Sequence, residues 1–119
     1  MTDRELLELA AKAAKIEVYE STDGTIQNRP VWVFIAGGGA GTMPYEEQWN
    51  PLREDAQALP LAVRLKMDIR PSEEIQTIHI WSDVLDRWIE EFYGSTNDPY
   101  TATRRAIVRA AAEIGKGLE

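Results

Sequence analysis

Two prolines decide where a helix can lie in the stretch 49–65, WNPLREDAQALPLAVRL. Asn50-Pro51 reads as a helix start. An Asn side chain accepts from free first-turn amides, and a Pro just after it gives up no donor that the helix would use. Glu54 and Asp55 add negative charge at that end, where the helix dipole favours it. Leu52, Ala56, Leu59, Val63 and Leu65 then supply an apolar stripe. Pro60 falls inside that stripe, and an interior Pro deletes a backbone bond and crowds the preceding turn. The continuous helix is therefore expected to start near residues 54–57 and to run to about Lys66, with 49–52 as a fixed loop leading into it.

The rest of the chain alternates between helical and extended patterns. Residues 2–15 predict a helix: Thr2 and Glu5 have capping-box spacing, and Leu6, Leu9, Ala10 and Ala13 recur at helical intervals, widened by Leu7 and Ala14. Residues 16–21 alternate as a strand, closed by a Ser21-Thr22-Asp23-Gly24 turn. Residues 30–36, PVWVFIA, form the strongest strand pattern, apolar on both faces and followed by the loop Gly37-Gly38-Gly39-Ala40-Gly41-Thr42. A short edge strand over 67–70, stopped by Pro71, precedes a turn at Ser72-Glu73-Glu74. Residues 75–81 alternate again, Gln76, Ile78 and Ile80 against Ile75, Thr77, His79 and Trp81. Residues 84–93 fit a short amphipathic helix that buries Val84, Leu85, Trp88, Ile89 and Phe92 and turns Asp83, Asp86, Arg87, Glu90 and Glu91 outward. After Gly94-Ser95-Thr96-Asn97, Asp98-Pro99 starts a last helix that runs to about Ile114 and stops at Gly115 and Gly117. Its face of Ala102, Ala106, Ile107, Ala110, Ala111 and Ile114 suits close packing on a sheet.

Trp49-Asn50-Pro51-Leu52, the segment Leu61-Ala62-Val63-Arg64-Leu65 and the run TRRAIVRAAA over 103–112 together resemble the phage ABA-sandwich domain family, small proteins of tailed bacteriophages and prophages. The similarity extends in order over most of the chain. It implies a sheet sandwiched between helices and a phage or prophage origin. It implies no activity, because the matching residues are structural. The expected fold is thus a single α/β (α+β) domain over residues 1–119, with a small sheet of three or four strands sandwiched by helices.

Composition narrows the function. The chain has no cysteine, which excludes disulfides and Cys-bound metals and fits a reducing cytoplasm. No apolar run reaches the length of a membrane span, and the first residues are acidic where an export signal would be basic. With 13 Lys and Arg against 20 Asp and Glu, the net charge of −7 argues against binding nucleic acid or anionic lipid. It suits a surface that competes with nucleic acid for a basic partner.

No catalytic residue is expected. His79 is the only histidine and lies on a mixed strand face without recognisable partners, so it reads as structural. No Ser or Thr sits in a nucleophile motif such as G-x-S-x-G. Adjacent acids at Glu46-Glu47, Glu54-Asp55, Glu73-Glu74 and Glu90-Glu91 read as solvated pairs, and neither a metal nor a cofactor is expected. The glycine loop invites a phosphate-site reading, with Gly37, Gly38, Gly39, Gly41 and Thr42 as its residues, but it lacks the Lys and the following helix of a P-loop.

One segment stands out. From residue 73 to 98 the acids are Glu73, Glu74, Asp83, Asp86, Glu90, Glu91 and Asp98, with Arg87 as the sole base. Trp81, Trp88, Phe92 and Tyr93 lie among them. Two readings stand: a solvated face over a packed aromatic core, or a face that docks on a basic protein groove. The expected function is a non-enzymatic phage or prophage protein that binds a basic surface of a host protein in the bacterial cytoplasm. Its sharpest form is an acidic nucleic-acid mimic that inhibits a defence complex, as anti-CRISPR proteins do. Glu73, Glu74, Asp83, Asp86, Glu90 and Glu91 are the expected contacts. The alternative is a small-ligand or nucleotide-binding domain using the glycine loop.

Overall fold

Helix α3 (Pro99–Lys116) is the centre of the molecule; α1 (Asp3–Ala13), α2 (Asp55–Arg64) and a sheet all pack against it. The computed structural model describes residues 1–21, 31–36 and 45–118. Its fold is α+β, with two three-stranded antiparallel sheets among these residues. The first is β1 (Tyr19–Ser21), β2 (Val31–Ala36) and β3 (Tyr45–Gln48), with β2 central and hydrogen-bonded on both edges. The second is β4 (Met67–Ser72), β5 (Thr77–Ser82) and β6 (Arg87–Phe92). Strand β3 was not expected from the sequence.

The N-terminal helix forms as its pattern requires. The Thr2 hydroxyl accepts from the Glu5 amide at 3.2 Å, and Leu6, Leu7, Ala10, Ala11 and Ala13 are buried. At its other end Lys15 takes φ of +59° and breaks the helix.

The segment around Asn50 departs from expectation in detail. Residues 51–53 make a separate turn, with the Arg53 and Glu54 amides both donating to the Asn50 carbonyl at 3.0 Å. Asn50 is not a side-chain cap: its Oδ1 is buried and makes no hydrogen bond among the described residues. Gln57 holds the loop instead. Its Oε1 accepts from the Asn50 amide at 2.6 Å, and its Nε2 donates to the Gln48 carbonyl at 2.7 Å. Trp49 is 3 % exposed and donates from Nε1 to the Leu7 carbonyl at 3.1 Å. Arg104 ties the same loop to α3 through the Leu52 carbonyl at 3.0 Å and Asp55 at 2.8 Å.

Helix α2 starts within the expected window and carries Pro60 in its interior. Its buried residues are Ala58, Leu61 and Ala62. The expected stripe of Ala56, Leu59 and Val63 is a correction: all three face solvent. The helix has apolar residues on two sides, and the tertiary fold buries the other one.

The largest correction is residues 84–93. They are not a helix: residues 83–86 form a turn and 87–92 are strand β6. The Ser82 hydroxyl accepts from the Leu85 amide at 3.1 Å, the Ser82 carbonyl accepts from the Asp86 amide at 2.8 Å, and Asp86 takes φ of +53°. This closes a four-residue hairpin loop, which places Ile89 opposite Ile80 and Trp88 opposite Trp81. Valine, tryptophan, isoleucine and phenylalanine all suit a pleated surface, and cross-strand pairing wins over the helical spacing.

Pro71 lies within β4 and does not stop it. The Tyr93 amide donates to the Gln76 carbonyl at 2.9 Å. By antiparallel alternation, Ile78 therefore bonds to β6, and Pro71 opposite it turns its nitrogen to the free edge, where no donor is needed.

Asp98 caps α3: its carboxylate accepts from the Tyr100 amide at 3.1 Å and the Thr101 amide at 3.2 Å, and from the Thr101 hydroxyl at 2.6 Å. The Thr101 hydroxyl and amide bonds, helped less by the Tyr100 amide and Arg104, hold its pKa below the usual carboxylate value against an opposing effect of desolvation. A folded-state pKa below the unfolded one stabilises the fold above the ordinary carboxylate range, and that contribution disappears as pH falls through the folded value. Asp98→Asn keeps an acceptor oxygen but loses the charge. Its urea midpoint should therefore fall less than the wild type's on acidification to below about pH 4. Parallel acid limbs in the two proteins would refute this.

The α3 helix continues past the expected stop at Gly115 and ends at Gly117. Gly115 serves close approach: a Cβ there would lie 2.0 Å from the Leu9 carbonyl oxygen of α1. Gly115→Ala should cost about 1–3 kcal/mol through overpacking, although Ala gains up to about 1 kcal/mol in helix propensity. Gly117→Ala should be near neutral, because a Cβ there meets nothing closer than 3.5 Å. Denaturant titration of both variants checks the contrast, and equal stabilities would refute it.

Candidate functional site

The register of the second sheet sorts its side chains onto two faces. Ile69, Ile80 and Ile89 pair across it on the inner face, where α3 packs. Three cross-strand rows form the other face: Asp68, Trp81 and Trp88; Arg70, His79 and Glu90; Ser72, Thr77 and Phe92. This outer face holds large exposed aromatics, with Trp88 42 % and Phe92 63 % accessible. Soluble surfaces seldom group such residues without a partner.

Trp81, Trp88 and His79 touch one another, while Phe92 lies two rows away, its ring beside Gly94. The Trp81 and Trp88 rings are 5.3 Å apart at 62°, and His79 meets Trp88 edge-on at 6.2 Å. The Arg70 guanidinium sits 5.5 Å from the Trp88 ring centre, so this ring already accepts a cation. Carboxylates surround the cluster. Trp81 Nε1 donates to Asp83 at 2.7 Å, His79 Nδ1 lies 3.4 Å from Glu90, and Asp68 lies 4.0 Å from Arg70. Aromatic faces beside carboxylates are the surroundings that a guanidinium or ammonium group prefers.

Each edge of this sheet carries one group that cannot pair with an added strand. Pro71 blunts β4, and Arg109 occupies the Glu90 carbonyl of β6 at 2.8 Å.

The expected contact residues do not share one helix face. Glu73 and Glu74 lie on the β4–β5 loop and Asp83 and Asp86 on the β5–β6 loop, at opposite ends of the hairpins. Glu90 is on the outer face between them. Glu91 is on the inner face, ion-paired with Arg109 and 3.9 Å from Arg105, so its charge is already matched by half-exposed arginines of α3. Trp88, expected in a helix core, is on the exposed side. Asp68 and Arg70 were missed, although their alternation with Met67 and Ile69 was a readable strand signal. Gly37, Gly38, Gly39, Gly41 and Thr42 lie outside the described residues. Among the described residues, no group of His, Asp and Glu side chains could hold a metal ion, and no helix is long and apolar enough to cross a membrane.

No protein family, curated protein or solved structure matches the chain.

Proposed function

We propose that this chain is a non-enzymatic binding protein that docks the outer face of its second sheet on a basic surface of another protein. The observation that carries this reading is the exposed Trp88 and Phe92 among Asp68, Asp83 and Glu90. Tryptophan suits the buried centre of an interface, and carboxylates around it select a basic partner and speed encounter. From the Asp83 end to the Glu73 end, six-residue strands make a strip roughly 20 Å long, enough to meet several Lys or Arg side chains. Net charge −7 supports the same choice.

The resemblance of the WNPL and TRRAIVRAAA segments to phage ABA-sandwich proteins supports a bacterial host protein as the partner. The sharpest form is an inhibitor that occupies the nucleic-acid groove of a defence complex in the host cytoplasm, as an anti-CRISPR protein would. The test is a pull-down from bacterial lysate with the tagged chain, followed by binding kinetics at two salt concentrations. Screening acts over about 8 Å at physiological ionic strength, so the on-rate should fall as salt rises. A partner whose on-rate is indifferent to salt would sink the acidic-docking mechanism.

A further inference from the structure

We infer that the solvent side of α2 is covered by a second copy of this chain, in a two-fold dimer with the two α2 helices antiparallel. Between Ala56 and Leu65 only Gln57 and Arg64 are polar. Ala58, Leu61 and Ala62 bury one side of the helix, while Ala56, Leu59, Pro60 and Val63 lie exposed on the other. Leu59 and Val63 are 60 % and 69 % accessible. A helix that is apolar nearly all round belongs in an interior, and the described residues supply only half of one.

The shape next to this ridge fits a copy of it. A groove of about 460 Å³ runs along α2, lined by Ile16, Phe34, Trp49 and Leu61 and, as one wall, by Ala56, Pro60 and Val63 of the ridge itself. Ridge and groove sit side by side, so a two-fold axis puts each copy's Leu59 ridge into the other's groove. Such self-complementarity is the hallmark of a closed, isologous interface. Charge selects the direction. Glu54 and Asp55, the latter also paired with Arg104, outweigh Arg53 at the start of the helix, and Arg64 and Lys66 lie at its end. Antiparallel packing brings each acidic end toward the basic end of the other copy and opposes the helix dipoles; parallel packing would stack like charges. The helix is only about 15 Å long. A standard interface needs roughly 800 Å² per partner, so the groove walls must contribute and association should be of micromolar strength.

The experiment is sedimentation velocity of the full chain over a concentration series. The expected result is a shift from 13.4 kDa to twice that mass. The variant carrying Leu59→Asp and Val63→Asp should stay at the single-chain mass at every concentration. Both residues are already exposed, so its circular dichroism should match the wild type, and its melting temperature should not change with concentration whereas the wild type's should rise. Because the chain has no cysteine, Leu59→Cys gives a second readout independent of those variants. Mild oxidation should cross-link it into a covalent dimer, whereas Ser95→Cys on an exposed loop should not cross-link. A wild-type chain that stays single up to millimolar concentration would overturn the dimer, as would equal cross-linking of the two cysteine variants.

Discussion

Trp49→Ala is expected to destabilise the fold by about 3–5 kcal/mol, the range for truncating a buried tryptophan. The side chain is 3 % exposed, and three parts of the chain meet on it. Its indole donates to the Leu7 carbonyl of α1 at 3.1 Å, and its ring meets Phe34 of β2 edge-on at 6.1 Å. It also stands directly before the turn that leads into α2. Removing it leaves a cavity that α1, β2 and α2 would all have to collapse into. Trp49→Phe should lose less, because it keeps most of the volume and gives up mainly the hydrogen bond, worth about 0.5–1.5 kcal/mol. Urea titration with an unchanged m-value is the measurement. A loss below roughly 1 kcal/mol for Trp49→Ala would show that the three elements do not depend on this contact.

Trp88→Ala should do the opposite, weakening partner binding at least about 30-fold, the equivalent of roughly 2 kcal/mol. Its effect on stability should stay at about 1–2 kcal/mol, since it loses the ring contacts with Trp81 and His79 and the Arg70 cation contact on a solvent-facing sheet surface. Glu90→Lys is the companion variant. On the rim of the face it should lower the on-rate more than it raises the off-rate. Glu91→Lys should instead destabilise the fold, because Glu91 pairs with Arg109 and Arg105 beneath the sheet. Affinities measured on the captured partner decide between these outcomes. Affinity unchanged by both Trp88→Ala and Glu90→Lys would remove the sheet face as the docking surface.

The contrast between the two tryptophans shows how much of the candidate site could be read from the chain. The aromatic and acidic content of residues 73–98 was visible, and so was its charge imbalance. The direction in which each side chain points was not. Val84, Leu85, Trp88, Ile89 and Phe92 satisfy a helical period, while Arg87, Ile89 and Glu91 alternate with Trp88, Glu90 and Phe92 as a strand would. A ten-residue segment can satisfy both periods. The choice between them came from the Ser82–Asp86 turn and from pairing with β5, which lie outside the segment's own periodicity.

Elsewhere local rules sufficed. The Thr2 cap, the Asp98-Pro99 start of α3 and the strand at residues 31–36 each follow from side-chain chemistry within a few residues of the element. The sequence by itself therefore determined the α+β class, the three helices in order but with a false fourth at 84–93, most strands, and an acidic surface without cysteine. The tertiary structure alone decided the sides: which face of α2 is buried, that Gly115 admits the Leu9 carbonyl, that Glu91 is neutralised by arginines of α3, and that Trp88 faces outward. The reason is physical. Caps, turns and periodicities are set by neighbours along the chain, whereas burial depends on which distant surface arrives first to exclude water.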